Sequence, residues 1–499
     1  MDSQRYILNP AYYLRNDIHR SIIGAFDFPI VYNDELFDRN FVYITHPLIA
    51  QILSFFNGCD TLDNTIENIS KTLDIPDNFV TTFVESICNN EYPILNEYDG
   101  YDLILPKKVL VPGTFCERKE HYKYTDFRVD GEVDLRNKRL YKPTKIIIEL
   151  TLKCYTKCIY CYADKQTQYK QLPTNRIISI IKEARSLGIP SIEMNGGEVL
   201  LHPDIKEILE TLDKYGYHPF ISTKLPIDSK MLRFLKEHNF TNIQISLDSI
   251  NHHTLSSTLA VKETYINKLL KTIEKIDKED FSWQINVVLT RFNISLQNEI
   301  VPLMNCLMAY KNLKGIKIVP AAYSMYNPIE NFNDIKASTL DINYIKQYVD
   351  SLNSEKSFDF DIIFDEPECQ YMYTSEYKAE RFPKRAYCTA NQRAFNILPD
   401  GKVTICEELY WNPYFIIGDL SVDTIESVWN SERALELYNL SQDSVDKNSK
   451  CTSCQLFNDC RHNNRVCWKL VVAAYGQDKC DFPDPRCPLA DYPYINYLY

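Results

Sequence analysis

No stretch of this 499-residue chain approaches the about 18 consecutive apolar residues of a membrane-crossing helix, so no span is expected. The formal net charge is −12 and no region carries a basic excess, which argues against nucleic acid as the main partner. Met1 to Pro10 is polar, without the apolar core or small-residue cleavage site of a secretory signal. A reducing cytoplasm is therefore expected, where thiols stay available for metal and a disulfide framework is not expected. The usual catalytic fingerprints are missing too: there is no Gly-x-Ser-x-Gly, P-loop or Gly-x-Gly-x-x-Gly. The nine histidines hold no HExxH or other paired ligand spacing, and His252-His253 reads as a solvent-facing loop pair. Glycine is scarce at 13, whereas tyrosine is abundant at 35.

What the chain does have is cysteine, 16 in all, unevenly placed. Cys154, Cys158 and Cys161 form a Cys-x3-Cys-x2-Cys loop directly after the strand-like apolar run Lys145 to Leu152. Random placement would match that spacing roughly 0.02 times per chain. Structural zinc takes four ligands, and no fourth Cys or His lies near: the closest are Cys116 upstream and His202 downstream. Three thiolates in one short loop can instead hold three irons of a 4Fe–4S cluster and leave the fourth iron open to a small molecule. That pattern suggests redox chemistry.

With Tyr160 just before the third cysteine, the loop resembles the motif of the radical S-adenosylmethionine (radical SAM) superfamily, Cys-x3-Cys-x-aromatic-Cys. About 35 residues on, Asn195-Gly196-Gly197-Glu198 follows the apolar run Ile192 to Met194. It matches the family's Gly-Gly-Glu; Val199 stands where many members have Pro. The resemblance implies that the open iron chelates the methionine amine and carboxylate of S-adenosyl-L-methionine. It implies further that Tyr160 lies near the adenine, that Gly196 and Gly197 let the backbone approach the methionine, and that Glu198 receives its amino group. Ser222, Thr223, Ser246 and Asp248, at the ends of the third and fourth strands, are expected to face the methionine carboxylate or ribose. Ordinary strand-end capping explains these four equally well.

The periodicity organises the chain into segments. Residues 1–100 show strand-like pieces near Tyr6 to Leu8 and Phe41 to Ile44, then three amphipathic helices. Thr61 or Asp60 caps the second helix, and Pro76 sits in the first turn of the third. The pattern resembles the winged-helix-like precursor-peptide recognition domain of peptide-modifying enzymes; a generic helical cap is the bland alternative. Residues 101–143 read as a connector. From 144 to 330, strands at 145–151, 190–194, 217–223, 242–247, 283–290 and 315–319 alternate with helices at 174–187, 204–215, 227–238, 260–277 and 295–310. Such alternation makes parallel β/α units, here a closed or partial barrel with ligands at the C-terminal strand ends. The fold class expected is α/β, and the resemblance implies a partial (β/α)6 TIM-type barrel. Residues 331–385 form a bridging region.

Residues 386–499 carry eight of the other thirteen cysteines. Cys388 is followed by 12 residues, Gly401, four residues and Cys406; then come Cys451, Cys454, Cys460, Cys467, Cys480 and Cys487. The order resembles the SPASM domain, an auxiliary iron–sulfur module. It departs at Cys467, which is six residues after Cys460 where three are usual. The resemblance implies two auxiliary 4Fe–4S clusters, one on Cys388, Cys406 and Cys467, the other on Cys451, Cys454, Cys460 and Cys487. Cys480 or Cys369 could be the missing fourth ligand of the first, which could also stay open. Cys59, Cys88 and Cys306 fall in helical patterns and read as buried small hydrophobes. Cys116 and Cys369 fall in irregular stretches as candidate hydrogen-atom donors.

Together these resemblances imply a maturase of ribosomally made peptides. It would generate a 5′-deoxyadenosyl radical and cross-link a precursor peptide oxidatively, supplied with electrons by a small flavodoxin- or ferredoxin-type protein. Peptide epimerisation and formylglycine formation on sulfatases are alternatives within the class, and a catalytically silent iron–sulfur scaffold is one outside it.

Overall fold

The computed structural model describes residues 4–26, 41–114, 121–136, 138–161, 163, 170–325, 329–355, 360–365, 374–384, 388–462 and 466–490. Cys116 and Cys369 lie outside the described residues. The chain divides into two compact units, Met1–Lys142 and Pro143–Tyr499.

The first unit opens with strands β1 (Tyr6–Leu8), β2 (Tyr12–Asn16), β3 (Ser21–Ala25) and β4 (Val42–Thr45). β2, β3 and β4 pair antiparallel with β3 central and buried throughout. Helices α1 (Pro47–Ser54), α2 (Leu62–Leu73) and α3 (Asp77–Ile87) follow, and each start has a local cause. His46 Nδ1 accepts from the Leu48 amide at 3.1 Å ahead of Pro47, and Thr61 caps α2 through the Asn64 amide. Pro76 stands immediately before α3 rather than within its first turn. α2 stops at Asp74, which takes the left-handed conformation (φ 54°). Ile69, Val80, Val84 and Ile87 then close on Leu53 and Ile23 in one apolar core.

A hairpin of β5 (Ile94–Tyr98) and β6 (Tyr101–Leu105) comes next, and β7 (Leu110–Pro112) returns to pair with β1. The hairpin turn at Asp99-Gly100 lies on the boundary expected at residue 100. The segment after it is packed rather than a bare linker. Arg20 donates to the Arg139 carbonyl at 2.6 Å, and the Tyr141 and Lys142 amides donate to the Asp17 carboxylate, each at 3.2 Å. Asp17 is itself fully buried and ion-paired with Arg20 at 3.0 Å, so that carboxylate is fully used.

The second unit contains β8 (Lys145–Thr151), β9 (Ser191–Gly196), β10 (Ile221–Thr223), β11 (Asn242–Ser246), β12 (Ser282–Leu289), β13 (Leu313–Pro320) and β14 (Asp361–Phe364). Between them run α4 (Thr174–Ser186), α5 (Ile205–Lys214), α6 (Ser229–Glu237), α7 (His252–Leu259), α8 (Thr264–Lys278) and α9 (Val301–Leu307). β10 to β14 form a five-stranded, wholly parallel sheet. β8 and β9 belong to a second five-stranded sheet, completed by β15 (Ala394–Ile397), β16 (Lys402–Thr404) and β17 (Ile416–Asp419) from the cysteine-rich segment. β15 runs parallel to β8, while β16 and β17 are antiparallel.

Four details differ from the sequence expectation. The third strand begins only at Ile221, the helix expected over 260–277 is α8 with an unexpected helix α7 before it, and the bridging region supplies the extra strand β14. His252 and His253 open α7 rather than lying in a loop. On β8, Ile146, Ile148 and Leu150 enter the main apolar core, which leaves Lys145, Ile147, Glu149 and Thr151 on the opposite face. Because the strands are parallel, their C-terminal ends gather on one rim, where a β/α fold places its ligands.

Candidate active site at the cysteine loop

The loop carrying Cys154, Cys158 and Cys161 leaves the end of β8 and is pinned at three places. The Lys157 and Ile159 amides donate to the Leu259 and Thr258 carbonyls at the end of α7, at 2.8 and 2.9 Å. The buried Thr156 hydroxyl lies 3.1 Å from Cys158 Sγ and 3.5 Å from Cys154 Sγ. From the other side, the Gly197 and Glu198 amides donate to the Thr151 and Lys153 carbonyls at 2.6 and 2.7 Å. This contact gives the glycines a packing reason that the sequence reading did not contain. A Cβ on Gly196 would meet the Thr151 oxygen at 2.4 Å, and one on Gly197 the Lys153 oxygen at 2.3 Å; Gly196 also has φ +122°. The close approach visible here is to the protein's own backbone.

A cavity of about 550 Å³ opens over this loop, within the range of about 300–1,000 Å³ typical of small-molecule sites. The three cysteines, Tyr160, Gly196, Gly197, Glu198, Ser222, Thr223 and Ser246 all line it. Cysteines three and four positions apart in the motif and residues nearly a hundred positions away thus reach one space, brought there by the common direction of the strands. Asp248 does not line the cavity. Its carboxylate sits behind the wall, accepting from the Val288 amide at 2.9 Å, from Lys224 Nζ at 2.9 Å and from the Tyr160 hydroxyl. Asp248 therefore orients Tyr160.

Sequence reasoning missed Lys224, which lines the cavity and donates to both Tyr160 and Asp248 at 2.9 Å. Burial alone would lower its pKa, but Asp248 and the thiols of Cys158 and Cys154 hold it above the ordinary value. Burial, then the Asp248 charge, pushes the Tyr160 phenol well above its usual range. Lys224 lies just past the short strand β10, and its only sequence signal is a single cation after Thr223, too common to single out. Glu198 is 3% exposed; it accepts from Thr223 Oγ1 at 2.8 Å and the Lys224 amide at 3.1 Å, and burial raises its pKa against those hydrogen bonds. It has no ion pair among the described residues.

These residues fit the cofactors that the motif implies. Three thiols able to ligate iron and a buried carboxylate suited to an ammonium group face the same cavity. Among the described residues no three His, Cys, Asp or Glu side chains converge on one point as a single metal ion requires. A cubane makes no such demand, because each thiolate takes its own iron and the sulfurs stand apart.

The late cysteines fall into two groups and one outlier. Cys388, Cys406 and Cys467 act on one another electrostatically, and burial raises all three thiols, Cys388 to about 11. Cys451, Cys454, Cys460 and Cys487 line a separate small cavity with Arg461 and Asp484. Asp484 is fully buried, ion-paired with Arg486 at 2.8 Å, and accepts from the Cys467 amide at 2.9 Å, which ties the two groups together. Cys480 belongs to neither. Its thiol bonds the Gln477 carbonyl at 3.1 Å, and burial and the Asp481 charge raise its pKa to about 11. No disulfide joins the described cysteines. Cys59 is exposed beyond α1, contrary to the buried role expected, and Cys88 and Cys306 are partly buried.

The chain matches the radical SAM superfamily model over residues 148–297 and the model of an iron–sulfur cluster-binding domain, SPASM, over residues 388–455. It is 28% identical to GTP 3′,8-cyclase of Clostridium perfringens over 183 residues, 35% of this chain and 54% of that protein's length. It is 21% identical to PqqA peptide cyclase of Gluconobacter oxydans over 357 residues, 70% of this chain and 92% of that protein. Its fold is similar to that of SuiB from Streptococcus suis bound to S-adenosylmethionine, with a TM-score of 0.63 at 15% identity, covering 97% of this chain and 100% of SuiB. A second SuiB structure, bound to the precursor peptide SuiA, gives 0.62. The chain therefore carries a radical SAM domain and, C-terminal to it, a SPASM iron–sulfur cluster-binding domain.

Proposed function

We propose that this enzyme modifies a ribosomally made precursor peptide by oxidative cross-linking. The observation that carries the reading is the pairing of a radical SAM cavity with two further cysteine groups in one compact unit. The relative from Gluconobacter oxydans is a peptide cyclase, and SuiB binds a precursor peptide. In this reading the two sheets of the second unit form a partial (β/α)6 barrel. The first unit, with three helices followed by a two-stranded hairpin, is a winged-helix-like module that holds the leader of the precursor. An extended leader would add to a sheet edge through main-chain hydrogen bonds.

Cys154, Cys158 and Cys161 would hold the cluster that takes S-adenosyl-L-methionine. Cys388, Cys406 and Cys467 would hold one auxiliary cluster, and Cys451, Cys454, Cys460 and Cys487 the other. When bound, the reduced cluster and S-adenosyl-L-methionine supply a 5′-deoxyadenosyl radical that takes a hydrogen atom from the peptide. The chain's own residues bind, orient and exclude water. Glu198 offers a buried carboxylate to the methionine ammonium. Lys224 and Asp248 fix Tyr160 as one wall. Ser222, Thr223 and Ser246 present hydroxyls to the ligand's polar edge. A small flavodoxin- or ferredoxin-type protein is the electron donor in this reading, and the cytoplasm the setting. Among the described residues no helix is long and apolar enough to cross a membrane.

The test is the mass of a precursor peptide after turnover by anaerobically reconstituted enzyme. A loss of about two daltons per event supports oxidative coupling, the chemistry left to the cofactors. An unchanged mass in ordinary water, with one deuterium gained in heavy water, would make the enzyme an epimerase.

A further inference from the structure

One polar face of the second unit is not accounted for by the cofactors. Glu149 stands on β8 directly opposite Asn195 of β9, and Asn396 of β15 stands opposite Ile147, one step along the same face of β8. Asn195 also lines the cavity over the cysteine loop, and its amide donates to Glu407 at 3.2 Å, so this face is continuous with the cavity.

Several of its buried acceptors lack a donor. Asn396 is 5% exposed, and its Oδ1 is buried without a hydrogen-bond partner. Asn195 Oδ1 is buried and equally unpartnered, as is Glu408 Oε2, whose other oxygen takes Lys469 at 2.7 Å. Glu193 is paired with Lys145 at 2.7 Å. Glu149 has neither an ion pair nor a hydrogen bond among the described residues, although it is partly buried. Orphaned buried acceptors are costly unless a donor arrives, and an unpaired carboxylate among them selects a cationic donor. An iron–sulfur cluster cannot be that donor, since its sulfides accept hydrogen bonds and its thiolates are negative.

We propose that the face formed by Glu149, Asn195 and Asn396 holds a cationic side chain, a lysine ammonium or arginine guanidinium, of the peptide being modified. The inference rests on the peptide reading above and names the chemistry of its substrate. Such a group donates several hydrogen bonds at once and neutralises Glu149, meeting both demands of this face. Burial, and then the charge of Glu407, pushes Glu149 up to about 8, and an arriving cation would reverse this. Asp400, which also acts on Glu149, is already paired with Lys402 at 3.6 Å.

The test uses full-length, anaerobically reconstituted enzyme and three probes: the Nα-acetyl amides of lysine, arginine and norleucine. The cationic probes should bind about tenfold tighter than norleucine, as one charge-assisted hydrogen bond requires. They should also slow carbodiimide labelling of Glu149, read by mass spectrometry of its peptide. Glu149→Gln should erase the preference. Glu149→Lys, which supplies the cation from the chain itself, should erase it too and gives the same readout should the Gln variant fail to fold. Equal binding of the three probes would overturn the inference. So would protection of Glu149 by magnesium alone, which would make this a metal site, or by S-adenosyl-L-methionine alone, which would assign the face to the cofactor. Measuring precursor turnover on the same preparation separates the two readings. Turnover without a cation preference sinks this inference only, whereas failure to modify any peptide sinks the peptide reading.

Discussion

Lys224 holds the Asp248 carboxylate at 2.9 Å while its ammonium faces the cavity over the cysteine loop. The pair is mostly withdrawn from water, with side chains 17% and 3% exposed. Removing one partner of such a pair strands the other charge, at a cost of about 3 kcal/mol or more. Lys224→Met should therefore lower the stability of the reconstituted enzyme by about that amount in urea titrations. The double variant Lys224→Met with Asp248→Asn should lose clearly less than the sum of the single losses, because no lone charge remains. Additive losses would mean that the two groups do not interact in solution.

Gly197→Ala would force a Cβ to within 2.3 Å of the Lys153 oxygen and 2.8 Å of the Leu152 carbonyl carbon. Both are backbone atoms at the root of the cysteine loop, so the loop itself must shift. Wild-type enzyme should contain about twelve irons per chain, four per cubane, and the variant about eight, with cleavage of S-adenosyl-L-methionine lost. Changing Cys154, Cys158 and Cys161 together to Ala should give the same iron count. Zinc in place of iron would contradict the whole cofactor assignment.

Glu149 gives a pH signature. Its folded pKa of about 8 lies above the ordinary carboxylate value of 4.5, so the folded chain binds this proton more tightly than the unfolded one. Its contribution is neutral below about pH 4.5, grows steadily destabilising from there to about pH 8 and then levels off, each pKa unit corresponding to about 1.4 kcal/mol. Glu149→Gln should flatten the fall in stability between these limits and leave the variant more stable than wild type at pH 9. Chemical denaturation across that range, without peptide present, checks it. A variant with an unchanged pH slope would show that Glu149 ionises normally.

Removing residues 1–142, the whole first unit, should weaken precursor binding by at least about tenfold, as loss of a strand-type docking edge implies. Cleavage of S-adenosyl-L-methionine in the absence of peptide should persist, because every cavity residue named above lies beyond Pro143. Calorimetry and 5′-deoxyadenosine assays on the truncated protein test the two halves separately. Undiminished affinity for the precursor would remove the leader-binding role from this unit.

Much of the site was legible because its signals are local. Cys154 to Cys161 and Asn195 to Glu198 are short motifs after apolar runs, and a parallel sheet must bring such strand ends together. The alternation of β8 to β13 with helices could be read from hydrophobic periodicity alone. What escaped was set by distant partners. Lys224 gains its meaning from Tyr160 and Asp248, which lie 64 and 24 residues away. The opposite holds for Asp248: its place at a strand end suggested a ligand contact, but tertiary packing turned its carboxylate towards its neighbours. β2 and β3 were missed because Arg15 and Asn16 end β2 on polar residues and the turn between the strands carries Asp17 and Arg20, a buried ion pair that only the folded unit explains.

β15 adds to β8 in parallel, joining residues 249 positions apart in the chain. A ribosome releases the chain from its N-terminal end, so β8 and the cysteine loop emerge long before the strand that borders them. Until Ala394 to Ile397 arrive, β8 is an uncovered edge with open amides and carbonyls. Contacts of such separation are slow to form. The cysteine loop should therefore become fully supported only after the roughly 250 residues between the two strands have been made, which delays iron loading and leaves the growing chain in need of protection against pairing with other strands in the interval.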